Sequence, residues 1–188
     1  MPTTSTSFPW STRTVRYRDL RSQLHRISHV LTRTGFVYTQ TTDRMWRKNR
    51  QTRGPAVPIG TDVNRNWPYE WEGPGSSSSP GSETYRGEEP GDTPENLGLR
   101  NFADKLAEDQ GLKLYIDWHS YSQLILLPYG YSCSAEASNI EEQKTLAGGV
   151  ASAIAKPYGT EFEYGPTCET IYQTNGGSND YIQDITGA

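Results

Sequence analysis

Metal-binding and redox side chains are scarce in this chain: three His, two Cys and two Met in 188 residues. Cys133 and Cys168 stand far apart, and neither has a second Cys or a His at finger-like spacing, which disfavours a zinc cluster. Apolar residues make up only 33% and mean hydropathy is -0.77. No run approaches the ~18 apolar residues that a membrane-spanning helix requires, so no membrane partner is expected. No N-terminal apolar segment reads as a secretory signal, and no repeat occurs at solenoid periods. A chain of this length makes one domain, with a modest core and much loop.

Acid is also lacking, but only at the start. Residues 1–34 hold six Arg, no Lys and one acid, Asp19, for a net of +5; the remainder carries 12 basic and 21 acidic residues, a net of -9. The change divides the chain near position 34. Residues 1–34 read as a disordered basic leader, either an organelle transit peptide or a flexible arm, and residues 35–188 as the folded part. An acidic body repels phosphate, so no nucleic-acid partner is expected.

What the chain has in quantity is glycine, proline and aromatics: 18 Gly, 12 Pro, 12 Tyr and five Trp. They mark turns and supply packing and binding walls. Phe36–Thr41 alternates weakly and reads as a strand. Residues 51–60 and 69–91 are loops broken by Gly, Pro and Ser. Thr93, Pro94 and Glu95 supply an N-cap, a proline at the first helical position and an acid in the first turn, so a helix should run to about Gln110 and stop at Gly111. Residues 112–118 and 124–127 are strand-like. Residues 135–156 carry helical spacing, Phe162–Tyr164 is extended, and Asn175, Gly176 and Gly177 mark a sharp turn. Helices followed by strands predict an α/β architecture.

Five short motifs then fall in one order. They are Asp43 to Arg50 around Trp46; Asp62, Val63, Asn64, Arg65, Asn66, Trp67; Ser77 to Pro80 with Ser82 to Tyr85; His119 to Gln123 with Pro128 to Tyr131; and Thr170 to Gln173 with Gly176 to Ser178. Together they resemble the zinc metallocarboxypeptidases of the pancreatic A/B type, over residues 35–188. The resemblance implies a mixed central β-sheet flanked by helices, here incomplete at both ends. It also implies hydrolysis of the C-terminal residue of peptides by a secreted, monomeric zinc enzyme whose partners are peptide or protein C-termini.

Each implied role suits the chemistry of its residue. Arg65 with Asn64 resembles the clamp for a terminal carboxylate, which a bidentate guanidinium matches; alone, an Asn-Arg-Asn turn would read as ordinary surface pairing. Arg47 resembles the arginine that polarises the scissile carbonyl and stabilises the oxyanion; without its companions it would be one solvated charge in a basic run. Tyr172 resembles the tyrosine that closes over substrate, with Gly176 and Gly177 giving its loop freedom. Ser120 and Tyr121 fall in the substrate-binding stretch. Asn179 falls at the floor of the pocket for the departing side chain, where its amide favours neither apolar nor basic residues, and Asp180 is a competing charge beside it.

His119 is the one zinc ligand that the resemblance supplies. The family's upstream His-x-x-Glu pair is absent, as is its downstream general-base Glu, and His25 with His29 has Arg26 where a zinc helix needs Glu. The expectation for this chain is therefore an inactive carboxypeptidase portion, or alternatively a non-catalytic module that binds peptide C-termini. Some members of the family join the regions of Cys133 and Cys168, so a disulfide between them is expected. Pro58 and Gly81 occupy the Cys positions of the family's commoner bridge.

Overall fold

The computed structural model describes residues 33–186, which leaves the His25 and His29 pair and nearly all of the expected leader outside the described residues. The first element is a helix, α1 (Arg33–Thr41), where alternation suggested a strand. No described strand lies beside it to complete a ladder. Thr39 and Thr41 instead donate to the carbonyls of Phe36 and Val37, at 2.6 and 2.9 Å, a habit of threonine within helices. Tyr38 meets Trp46 edge-on with ring centroids 5.0 Å apart, and the Arg50 guanidinium lies 3.8 Å from the Tyr38 ring centroid.

The second helix, α2 (Pro94–Gln110), starts and stops where its residue types predict. Thr93 Oγ1 accepts the Asn96 N–H, Pro94 opens the helix, and Gly111 leaves it at φ 74°. Strand β1 (Leu124–Leu127) leads to α3 (Ile140–Tyr158) and then to β2 (Glu163–Pro166), which pairs parallel to β1 with Leu124 opposite Glu163 and Leu127 opposite Pro166. Parallel neighbours require such a crossover. Gly148 makes the packing possible, since a Cβ there would meet Tyr164 Oη at 3.0 Å. Short α4 (Thr167–Thr170) follows β2, and α5 (Ser178–Thr186) is the last described element.

Residues 112–118 form no strand, which corrects the sequence reading. Leu112 and Tyr115 pack on a cluster of Trp67, Ala103, Tyr181 and Ile182. Leu114, Ile116 and Trp118 are 58%, 54% and 86% exposed, and no described strand pairs with the segment. The period-2 pattern is present, but a strand exists only through its hydrogen-bonded neighbour.

A second cluster joins Leu127, Tyr129, Ala137, Ile140 and Ala147. Many other buried residues are polar, and most of their polar atoms are hydrogen-bonded, Asn96 Oδ1 being an exception. Asn66 Nδ2 donates to Arg86 O, Glu89 O and Asp92 Oδ1, while its Oδ1 accepts Thr93 N and Asn96 Nδ2. Arg53 grips Asp92 with two N–H groups, at 2.6 and 2.8 Å. Such charge-assisted pairs are strong, so loops that carry little apolar surface are still held in place. Cys133 and Cys168 form a disulfide with Cα atoms 5.0 Å apart, as expected.

Candidate active site

The turn bearing Asn64 and Arg65 is built by Asp62. Its side chain caps a 3-10 turn, Val63–Arg65, by accepting the Asn64 backbone N–H, the task for which aspartate suits an N-cap. Arg65 is thereby buried, and its guanidinium donates from Nε to Gly75 O at 2.8 Å, from one terminal nitrogen to Asn64 O at 2.7 Å and from the other to Tyr172 Oη at 3.3 Å. Gly176 presses on this turn: at φ 69° it places its backbone where a Cβ would collide with the Arg65 carbonyl. The glycine predicted for loop freedom therefore also serves close approach.

Asn64 faces the other way. Its Oδ1 accepts Ser178 N at 2.9 Å, which points Nδ2 at His119 Nε2, 3.1 Å away. His119 Nε2 also lies 2.9 Å from Asp117 Oδ2, and that same oxygen accepts Ser178 Oγ–H at 2.8 Å. The hydrogen bond to Asp117 raises the His119 pKa against the opposing effect of burial. Burial pushes Asp117 up, but the bonds from His119 and Ser178 and the nearby charges hold it below its ordinary value. Protonated Nε2 donates to Asp117; neutral and unprotonated, it accepts from Asn64.

Arg47 completes the group, donating from Nε to Asp62 Oδ2 at 2.6 Å. Burial works against its charge, and the Asp62 carboxylate outweighs that, so its pKa is raised. A cavity of about 330 Å³ is lined by Arg47, Asp62, Asn64, Asp117, His119, Ser120 and Ser178, with Val63, Trp67, Leu99, Tyr115 and Trp118 as its walls. A larger open cleft of about 480 Å³, by Gln123, Leu124 and Glu161 to Glu163, contains none of the expected site residues.

The fold thus gathers Arg47, Asn64, His119 and Ser120 at one cavity and sets Arg65 with Tyr172 directly behind Asn64. Tyr121 is 89% exposed and does not line the cavity. Asn179 donates from Nδ2 to Thr167 Oγ1 at 3.1 Å, outside the lining. Asp180 is not a charge in a substrate pocket: it is buried, accepting the backbone N–H groups of Gly130 and Tyr131 at 2.8 to 3.0 Å. Sequence reasoning gave no role to Asp117, Ser178 or Asp62. Asp62 alone offered a local signal, as an aspartate two residues before a polar turn.

Two guanidinium groups, an imidazole and an asparagine amide thus lie close together on an α/β frame. The zinc carboxypeptidase family model matches residues 31–188, and the chain belongs to that family. It is 54% identical over 150 residues to a metallocarboxypeptidase A-like protein of Trichophyton verrucosum (strain HKI 0517), covering 80% of this chain and 35% of the relative. Carboxypeptidase A2 of Rattus norvegicus is 40% identical over 151 residues, with the same shares covered. The chain therefore spans about a third of the length of these curated relatives. Among solved structures, bovine thrombin-activatable fibrinolysis inhibitor in complex with tick carboxypeptidase inhibitor superposes with a TM-score of 0.77 at 37% identity, over 82% of this chain and 52% of that one. Carboxypeptidase A from Helicoverpa armigera gives 0.73 at 32%, over 81% and 37%.

The family's name implies zinc, and the described donors do not fit it by themselves. A catalytic zinc takes three protein ligands, and among the described residues no group of three His, Cys, Asp or Glu could hold a metal ion. His119 Nε2 is engaged by Asp117 and Asn64.

Proposed function

We propose that residues 35–188 carry the substrate-holding part of a zinc-dependent metallocarboxypeptidase, whose substrates are peptide or protein C-termini. In this reading Arg65 and Asn64 hold the terminal carboxylate. The Arg47 guanidinium meets the scissile carbonyl and the oxyanion that grows from it. Ser120, at the cavity wall, contacts the departing residue, and Tyr172 closes over it. Among the described residues His119 is the one contribution to the metal site. With the described donors alone, the chain binds peptide C-termini and does not cleave them.

The observation that carries the reading is the convergence of Arg47, Asn64 and His119 on one cavity, with Arg65 against Asn64. Fixed cations beside a cavity suit an incoming carboxylate and a developing oxyanion better than they suit a neutral ligand. Tyr172 Oη accepts from Arg65, so its own proton is available to a bound carboxylate. The disulfide suits an extracellular protein, in keeping with secretion.

The rival reading, a non-catalytic module for peptide C-termini, is favoured by the incomplete donor set and shares the same clamp. Incubating the chain with zinc and N-acylated dipeptides tests the catalytic side of the proposal. No chelator-sensitive release of the terminal amino acid is expected; such release would overturn the reading of this chain as inactive and remove the non-catalytic alternative.

A further inference from the structure

Asp62 joins the two halves of the site through one buried carboxylate, 3% exposed as a residue. Oδ2 accepts Arg47 Nε–H at 2.6 Å, and Oδ1 accepts the Asn64 backbone N–H at 3.1 Å. Its backbone is equally fixed: Asp62 N donates to Tyr85 O at 2.8 Å, and Asp62 O accepts Arg65 N at 3.0 Å. Arg47 spends Nε on this contact. Its two terminal nitrogens have no hydrogen-bond partner among the described residues and stay available at the cavity wall.

We infer that Asp62 is a positioning residue that sets Arg47 against the Asn64–Arg65 turn. One carboxylate thereby fixes the span between the group facing the scissile carbonyl and the groups holding the terminal carboxylate. The meaning of that span rests on the proposed function; the Arg47–Asp62 bond does not. Misplacement of a positioned group by about 1 Å costs on the order of a hundredfold in catalysis, which makes a rigid tie between the two anchors useful. A purely structural Asp62 would cap the turn and do no more. Asparagine caps nearly as well as aspartate but cannot form the charge-assisted bond to Arg47, so Asp62→Asn separates the two roles.

The test has two arms on the whole chain. In proton-nitrogen spectra of arginine side chains, the Arg47 Nε–H signal, assigned by its loss in Arg47→Lys, should be shifted downfield and slow to exchange. In Asp62→Asn it should lose both properties, while Arg53 Nε–H, held by Thr61, keeps its own signal and reports an intact fold. The second arm compares an N-acetylated dipeptide with 3-phenylpropanoate, which has a carboxylate and no scissile carbonyl. Asp62→Asn should weaken the dipeptide about tenfold, as loss of a charge-assisted hydrogen bond does, and 3-phenylpropanoate less than about twofold. It should add nothing to Arg47→Ala. Asp62→Ala, which also removes the cap, should weaken both ligands.

No loss of either ligand in Asp62→Asn, with Arg53 unchanged, would make Asp62 a structural cap, and equal loss of both would mean that it does not act through Arg47; either result would overturn the inference. A wild-type Arg47 Nε–H exchanging as fast as an exposed arginine would overturn it too, and this reading survives any failure of the variant to fold. Binding of neither ligand by the wild type would overturn the proposed function, while the spectra would still decide on Asp62.

Discussion

Arg65 uses three of its five N–H donors inside the protein, on Gly75 O, Asn64 O and Tyr172 Oη. A buried guanidinium so held is rigid before any ligand arrives, which lowers the ordering cost of binding. Arg65→Lys keeps the charge but loses the planar fork. The affinity for an N-acylated dipeptide should fall about tenfold or more by calorimetric titration, and an unchanged affinity would contradict the clamp. At this scale Arg47, Asn64, Arg65 and His119 were legible because their motifs are local. Asp117 and Ser178 were not: their bond spans 61 residues, and that between Arg47 and Asp62 spans 15, distances over which no periodicity carries information.

Among the elements, α5 is docked by Asp180. The carboxylate meets the backbone of Gly130 and Tyr131 in a buried setting, and burial outweighs those bonds to push its pKa from 3.8 to about 6. The folded state therefore binds this proton more tightly than the unfolded chain does. Its contribution is fully present below pH 3.8 and is lost as pH rises through about 6, a change on the order of 3 kcal/mol. Urea midpoints between pH 7 and pH 4.5 should show a gain for the wild type that Asp180→Asn lacks; identical slopes would contradict this. The disulfide ties the loop after Tyr131 to α4, and a Cys133→Ser, Cys168→Ser pair should cost about 2–4 kcal/mol of stability by urea titration. A count of two free thiols in the native protein would contradict the bond. Elements announced by caps and glycine stops, such as α2, were legible nearly to the residue. Residues 36–41 and 112–118 were misread because alternation alone does not say whether a neighbouring strand is there.

For the molecule as a whole, two small apolar clusters and a polar network support the site within an α/β frame. The chain matches about a third of the length of its curated relatives, and the described part includes Leu114, Ile116 and Trp118 as an uncovered apolar row. The fold class was legible from the order of helices and strands, and the family from motif order. The contacts that bring those motifs together came only with the fold. The central claim is that this chain recognises the free carboxylate of a peptide C-terminus. Calorimetric titration with an N-acylated dipeptide and with the same dipeptide as its C-terminal amide tests it most directly, with chelator present to exclude metal. The account predicts binding of the free acid and at least a tenfold loss for the amide; equal affinity for the two would contradict it.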